Sequence, residues 1–280
     1  MRTLKIALAT ACAVVVGWAF TASAETTIPA SAYVQEGLIA QWDGIDNAGT
    51  GTHDPNATAW KDLKGTRDLA VNAANGGFAD GNALKCFARS NGFVAGDAEA
   101  CTTYRTIELM ATRHEASNSA FVFGAGDTSN VRMFALYKNN QFMPRSNNYK
   151  WNGSDDTPTY SATYGESSAV SGHYTNGLAT ASDGNDSWSS RGNRMTVGAG
   201  YSTITYPYVG KIFTIRLYDR ELSADDLAKN ALLDRVRFLY GVSGSRINDA
   251  GGYEIAIAPK VCGNGGGSFQ VGDGSASPSR

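Results

Sequence analysis

Charge is scarce in this chain. Charged residues make up 18% of its 280 positions, against roughly 25% in an average soluble domain. The gap is filled by 32 glycines and by abundant Ser, Thr and Asn. That is a composition of turns and strands rather than of long solvated helices. Lys and Arg together number 24, Asp and Glu 26, and no basic block stands out. Nucleic acid is therefore not an expected partner, since it calls for a clustered cationic face. Helical crossovers are missing, which excludes parallel βαβ units. Hydrophobic residues at 42% are enough for a core, which excludes wholesale disorder.

Long apolar runs are scarce as well. One occurs, over residues 6–20. It falls short of the roughly 20 residues that span a bilayer, and no later run reaches that length. Met1-Arg2-Thr3-Leu4-Lys5 is a short basic start, and Ala22-Ser23-Ala24 puts small residues where a signal peptidase reads. Residues 1–24 read as a secretory signal peptide with cleavage before Glu25. The mature chain is expected to be soluble, without a membrane span, and secreted or held in the cell envelope or periplasm. Loss of Arg2 and Lys5 leaves 22 basic against 26 acidic residues, a net charge of −4.

Cysteine is limited to 4 residues, and Cys12 leaves with the leader. Cys86, Cys101 and Cys262 remain, an odd number, and Cys262 takes no assigned role. In an exported protein Cys86 with Cys101 is the local choice for a disulfide. Two buried free thiols are the alternative. No close Cys or His spacing suggests zinc.

The mature chain is organised as many short strands separated by turn signals. Leu38-Ile39-Ala40-Gln41-Trp42 reads as the first strand, followed by a polar loop over residues 43–59. Trp42 and Trp60 border that loop beside apolar neighbours and are expected in the core. Strands are expected over residues 82–88 and 105–112, flanking the cysteine loop. In the second, Ile107, Leu109 and Ala111 alternate with Thr106, Glu108 and Met110, as one buried face requires. Residues 120–124 and 131–137 read as a strand pair. Residues 146–170 are polar and aromatic with weak periodicity. Tyr174-Thr175-Asn176-Gly177 ends in a strong hairpin signal. Further strands are expected over residues 193–199 and, most clearly, 211–218. The whole points to an antiparallel sandwich.

One helix is well specified. Ser223 caps it and Asp226 stands where a capping box needs it. Leu222 and Leu227 fit a hydrophobic staple. Leu227, Ala231, Leu232, Arg235, Val236 and Leu239 trace a mostly apolar stripe, with Lys229, Asn230 and Arg237 off it. Gly241 ends it. Residues 243–280 read as a Gly- and Ser-rich tail or the start of a further segment, with one strand near residues 253–258.

Gly37-Leu38-Ile39-Ala40-Gln41-Trp42-Asp43-Gly44 resembles the opening strand of bacterial laminin-G-like, concanavalin A-like jelly rolls. The stretch from Gly210 through Tyr218-Asp219-Arg220-Glu221-Leu222-Ser223 to Leu227 resembles their closing strand and helix, and Tyr174-Thr175-Asn176-Gly177 their interior hairpin. Phe213 stands where many members carry an acidic residue. The resemblance covers about residues 33–242. It implies an all-β fold, an antiparallel two-sheet jelly-roll sandwich with one C-terminal helix. Members of this family include glycan-binding modules, adhesive spacers and catalytic domains, so fold alone does not choose a function.

Retaining glycosidases on this jelly roll carry Glu-x-Asp-x-x-Glu, which sets two carboxylates about 5 Å apart. Glu108 is followed by Leu109 and Met110, and Glu115 by Ala116 and Ser117, so neither begins that pattern. His53, His114 and His173 are scattered, and no Gly-x-Ser-x-Gly or phosphate loop occurs. Ala181, Asp183, Asn185 and Trp188 match a sialidase-type Asp box at only two of its four key positions, which chance explains. The expectation is a chain without catalytic residues, not an enzyme.

Two binding possibilities remain. Asp43, Asp46, Asn47 and Asp54 lie in one Gly-rich loop and offer the hard oxygens that calcium takes. The alternative is Asx turns, in which those side chains bond nearby backbone. Tyr149, Trp151, Tyr160, Tyr164 and Trp188 lie in polar, Gly- and Ser-rich stretches, where aromatic faces can stack on sugars. The expected function is a secreted, non-catalytic recognition domain for carbohydrate or an extracellular protein. A structural or adhesive spacer of the cell envelope, and a divergent glycoside hydrolase, are the alternatives.

Overall fold

The computed structural model describes residues 28–79, 82–87, 94–99, 104–112, 120–125, 132–137, 141–143, 149–150, 159–164, 172–175, 178–181, 194–198, 208–240, 245–247, 253–257 and 269–271. The chain divides into two compact units. One is Pro29–Arg235; the other joins Met1–Ile28 to Val236–Arg280.

The Pro29–Arg235 unit is built almost wholly of strands. Its first half supplies β1 (Leu38–Asp43), β2 (Ala59–Trp60), β3 (Leu69–Val71), β4 (Gly76–Gly77), β5 (Leu84–Cys86), β6 (Ala95–Glu99), β7 (Thr106–Ala111) and β8 (Ala120–Ala125). Its second half supplies β9 (Arg132–Tyr137), β10 (Gln141–Met143), β11 (Tyr149–Lys150), β12 (Thr159–Tyr164), β13 (Gly172–Thr175), β14 (Leu178–Ala181), β15 (Arg194–Val197) and β16 (Gly210–Tyr218). An α-helix, α1 (Ala224–Arg235), follows. The strands form two antiparallel sheets. The first runs β14-β13-β12-β7-β16-β5-β4, with β1 also paired to β16. The second runs β11-β10-β9-β8-β15-β6-β3-β2.

Side-chain alternation explains how the sheets are filled. Ile107, Leu109 and Ala111 of β7 and Ile215 and Leu217 of β16 share one buried apolar cluster with Trp60, Leu69, Val122, Phe123, Met195 and Val197 of the second sheet. Each fully buried Ile, Leu or Phe contributes roughly 1.5–3 kcal/mol. Trp42 and Trp60 are core residues, as expected. Their indole N–H groups donate to the Arg67 and Asp43 carbonyls at 3.0 and 2.9 Å, which removes the cost of burying a lone donor. Trp60 also meets Phe78 edge-on, with ring centres 5.6 Å apart.

The opposite face of the first sheet is buried too, which periodicity did not indicate. Every residue of β7 is buried, because α1 and the segment before β1 lie over that face. The helix begins as expected. The Asp226 amide donates to Ser223 Oγ at 3.2 Å and the Ser223 amide to Asp226 Oδ2 at 3.3 Å, a reciprocal capping box. Leu222 and Leu227 share a cluster with Tyr160, Ala162, Tyr174 and Tyr218. The buried face of α1 differs from the expected stripe: it carries Leu227, Asn230, Ala231, Leu233 and Asp234. Asn230 and Asp234 are on it because both find polar partners in the sheet.

Other departures have local causes. β6 forms within the loop between Cys86 and Cys101, held between β3 and β15. β12 forms in the weakly periodic stretch because it pairs along its whole length with β7. β13 and β14 pair with Thr175 opposite Leu178, as a two-residue connection requires. In the other unit, Val236–Tyr240 is a π-helix. There the expected tail contains a three-stranded antiparallel sheet, Ser245–Ile247, Tyr253–Ile257 and Phe269–Val271, rather than one strand.

Candidate functional site

Two polar constellations lie along β1 and β16. The first is the loop that follows β1. Asp43 Oδ1 accepts from the Ile45 and Asp46 amides at 2.8 and 3.1 Å. The Asn47 side chain clasps Asp54 at both ends: Nδ2 donates to the Asp54 carbonyl at 2.7 Å, and Oδ1 accepts from the Asp54 amide at 2.8 Å. Asp54 Oδ1 accepts from the Asn56 amide at 2.8 Å. His53 Nδ1 lies 3.1 and 3.2 Å from the Gly44 and Ile45 carbonyls. Both partners are acceptors, so Nδ1 carries the proton. Further along, buried Asp62 accepts from the Gln41, Lys64 and Arg67 amides at 3.0 to 3.2 Å.

The Asp43–Ile45, Asp54–Asn56 and Asp62–Lys64 bonds are Asx turns, while the Asn47–Asp54 clasp closes the loop over a longer span. Asp43 Oδ1, Asn47 Oδ1 and Asp54 Oδ1 each accept from a backbone amide of the same loop. Among the described residues, no three His, Cys, Asp or Glu side chains converge as a metal set.

The second constellation is a buried ionic cluster on the outer face of the first sheet. The strand register sets Gln41, Arg216, Glu108, Ala162 and Tyr174 side by side across five strands. Arg216 and Glu108 are direct neighbours. Arg216 Nε donates to Glu108 Oε2 at 2.7 Å, and its Nη1 and Nη2 fork onto the two Asp234 oxygens at 2.8 and 2.6 Å. Asn230 Nδ2 donates to both Glu108 oxygens, at 3.1 and 3.0 Å, and to the Tyr218 hydroxyl at 2.9 Å. The Tyr160 hydroxyl donates to Glu108 Oε1. The Arg216 guanidinium lies 4.2 Å above the Tyr33 ring centre. Glu108, Arg216, Asn230 and Asp234 are all 0% exposed.

Electrostatics follow from that burial. Two carboxylates share one guanidinium. Burial pushes Asp234 above the ordinary carboxylate value, while the charge and hydrogen bonds of Arg216 pull it down. Burial and then the Glu108 charge hold the Tyr160 phenol well above its usual value, against the opposing charge of Arg216. The cluster thus stores charge and orders donors. It offers no accessible nucleophile, because the phenol resists ionisation and none of these four charged or amide side chains reaches solvent.

The expected sugar-stacking residues are not one group. Tyr160 is corrected: it is fully buried, its ring packed edge-on against Tyr174 with centres 5.7 Å apart, so it presents no face to a ligand. Tyr164 is half-buried on the same strand. Tyr149 sits on β11, at the edge of the second sheet, whereas β12 belongs to the first. Trp151 and Trp188 lie outside the described residues, as do His114, the Asp-box-like stretch after Ala181 and the signal peptide. Cys86 is a buried free thiol, and its expected partner Cys101 lies outside the described residues. Nothing in the local sequence marks Glu108, Asn230 or Asp234 as a site residue. The one available signal was a charged residue, Arg216, inside the most apolar strand, which demands buried partners.

No family model matches the chain, and no curated protein matches it in sequence. Its fold does have solved counterparts. Trypanosoma rangeli sialidase in complex with sialic acid superposes with a TM-score of 0.53 and 17% identity, over 81% of this chain and 39% of the sialidase. The same sialidase with 2,3-difluorosialic acid, as a covalent intermediate, superposes at 0.52 and 17% identity, over 76% and 36%. Domain 4 of a GH43 extracellular arabinanase from Geobacillus stearothermophilus, in complex with arabinotriose, matches at 0.40 and 16% identity, over 69% and 98%. At such identities the likeness is one of fold, and the chain spans about two-fifths of the sialidase's length. The structural neighbours are carbohydrate-active proteins.

One expectation is overturned by this comparison. The chain was expected not to be an enzyme because paired glutamates are missing. Its structural neighbours include sialidases, and sialidases work from a Tyr nucleophile rather than from Glu-x-Asp-x-x-Glu. The missing motif excludes one glycosidase chemistry and no more.

Proposed function

We propose that the Pro29–Arg235 unit is a concanavalin A-like jelly roll of an exported protein, and that it binds carbohydrate. The observation that carries this reading is the architecture. Two antiparallel sheets share one apolar core, and the arrangement superposes on a sialidase over 81% of the chain. The laminin-G-like opening and closing strands, β1 and β16, pair with each other along most of β1, which fits the same family. The apolar leader with its Ala-Ser-Ala ending supports export.

Tyr149, Trp151, Tyr164 and Trp188 are the stacking candidates, since Tyr160 is committed to the interior. Aromatic faces gain affinity from sugars by covering their C–H surfaces while polar neighbours bond the hydroxyls. Calcium stays as an experimental variable, with no geometry assigned to it.

The experiment is a glycan array probed with the purified protein, with calcium and with a chelator. A saturable signal on one glycan class, weakened at least tenfold by Trp151→Ala or Trp188→Ala, is the expected result. Incubating the same glycan with the protein and analysing it for cleavage decides whether binding comes with turnover. Silence across sialosides, arabinans and neutral glycans in both conditions would remove the proposal.

A further inference from the structure

Residues 29–36 belong to no strand, yet they are fixed at several points. The Val34 amide donates to Asn230 Oδ1 at 3.0 Å. The Tyr33 ring lies under the Arg216 guanidinium at 4.2 Å. Arg220 Nε donates to the Glu36 carbonyl at 3.1 Å. Tyr33 and Val34 are both buried.

Asn230 is the junction. Its oxygen holds this segment, while its nitrogen reaches Glu108 on β7 and Tyr218 on β16. Helix α1 therefore cannot leave the sheet without releasing the Val34 amide. The segment in turn cannot leave without uncovering Arg216, which also holds Asp234 of α1. A half-open state keeps buried groups with some partners removed, the costliest condition for a polar group. A fully open state hands the ionic cluster to water, which solvates it. It also exposes the apolar contacts of Val34, Leu227 and Ala231 with Tyr160, Ala162, Tyr174 and Tyr218, so it costs more than the polar groups alone would set. The apolar core on the other side of the sheet contains no residue of 29–36 or of α1.

We propose that residues 29–36 and α1 form one latch, which opens and closes as a unit over the outer face of the first sheet, with its ionic and apolar clusters, while the core between the two sheets stays formed. This is sub-global opening, in which cooperative units differ in free energy within one native state.

Hydrogen exchange read by mass spectrometry on the purified protein tests it. In the unmodified protein at low denaturant, amides of residues 33–36 and of α1 are expected to merge onto one opening isotherm, below that of β8 and β15. Tyr33→Ala changes only the segment. It is expected to speed exchange in α1 by about tenfold or more, the scale of one or two lost buried interactions. Asn230→Ala is expected to speed exchange at residues 33–36 in return, with β8 and β15 still protected. A change confined to the substituted element would overturn the latch, since the two parts would then open independently. A uniform rise that includes β8 and β15 would overturn it as well, since the opening would then be global. Should Asn230→Ala fail to fold, the isotherms of the unmodified protein and Tyr33→Ala decide alone.

Discussion

Replacing Arg216 with Met withdraws the cation from between Glu108 and Asp234 while keeping most of the side chain's volume. In the native protein that guanidinium makes one bond of 2.7 Å to Glu108 and two of 2.8 and 2.6 Å to Asp234. Met restores none of them, and two carboxylates are left facing each other in an interior that water does not reach. Breaking a buried pair by removing one partner costs about 3–5 kcal/mol, a large share of the 5–15 kcal/mol that typically separates folded from unfolded protein. With a urea slope of about 2 kcal/mol per molar, the midpoint falls by roughly 2 M. Urea unfolding followed by tryptophan fluorescence reads this directly.

The pH dependence has a definite sign. Asp234 already titrates above its ordinary value because burial outweighs Arg216. Removing Arg216 raises it further. A carboxylate whose folded value is raised binds its proton more tightly when folded. Stability is therefore lost as pH rises from the ordinary carboxylate value, near 3.9, through the folded one. The Arg216→Met variant is thus expected to lose more at neutral pH than in mild acid. Combining it with Glu108→Gln and Asp234→Asn is expected to recover much of the loss, because no uncompensated charge remains. A loss under about 1 kcal/mol for Arg216→Met, or no recovery in the triple variant, would show that the cluster is not the buried ionic unit described.

Gly44→Ala is expected to cost about 1–3 kcal/mol, because its methyl would stand 2.6 Å from the Asn82 carbonyl oxygen and 2.7 Å from the Ala83 Cα. Gly77→Ala, with nothing within 4 Å, is the matched control, and equal thermal shifts for the two would refute the close approach. Cys86 is buried and its thiol is pushed far up by burial; iodoacetamide labelling with peptide mapping is expected to modify it only after denaturation, and rapid native labelling would contradict its burial. Asp68 titrates below its ordinary value: burial works against this, but the Lys61 hydrogen bond and charge and the Asp62 amide outweigh it. Its contribution is therefore present above the ordinary value and lost as pH falls through the folded one. Because the pair is about half-exposed, Lys61→Ala is expected to cost under about 1 kcal/mol and to vanish in high salt, and a salt-insensitive loss would be evidence against a screened pair.

Much of this molecule is decided locally, and local information is in the sequence. The alternation of Ile215 and Leu217 with Thr214, Arg216 and Tyr218 makes β16 a strand whatever surrounds it. Ser223 and Asp226 start α1 because a capping box needs only residues three apart. The Asp- and Asn-rich loop after Trp42 could be read as turns for the same reason. What the tertiary structure alone decided is the outer face of the first sheet. Glu108 and Arg216 meet across 108 positions, and Asn230 and Glu108 across 122. No period or motif spans such distances. Read one at a time, Glu108, Asn230 and Asp234 are polar residues that belong in water, and Tyr160 is an aromatic in a polar stretch. They become interior only when β7, β12, β16 and α1 are brought together, because a charge can leave water only when another part of the chain supplies its partner.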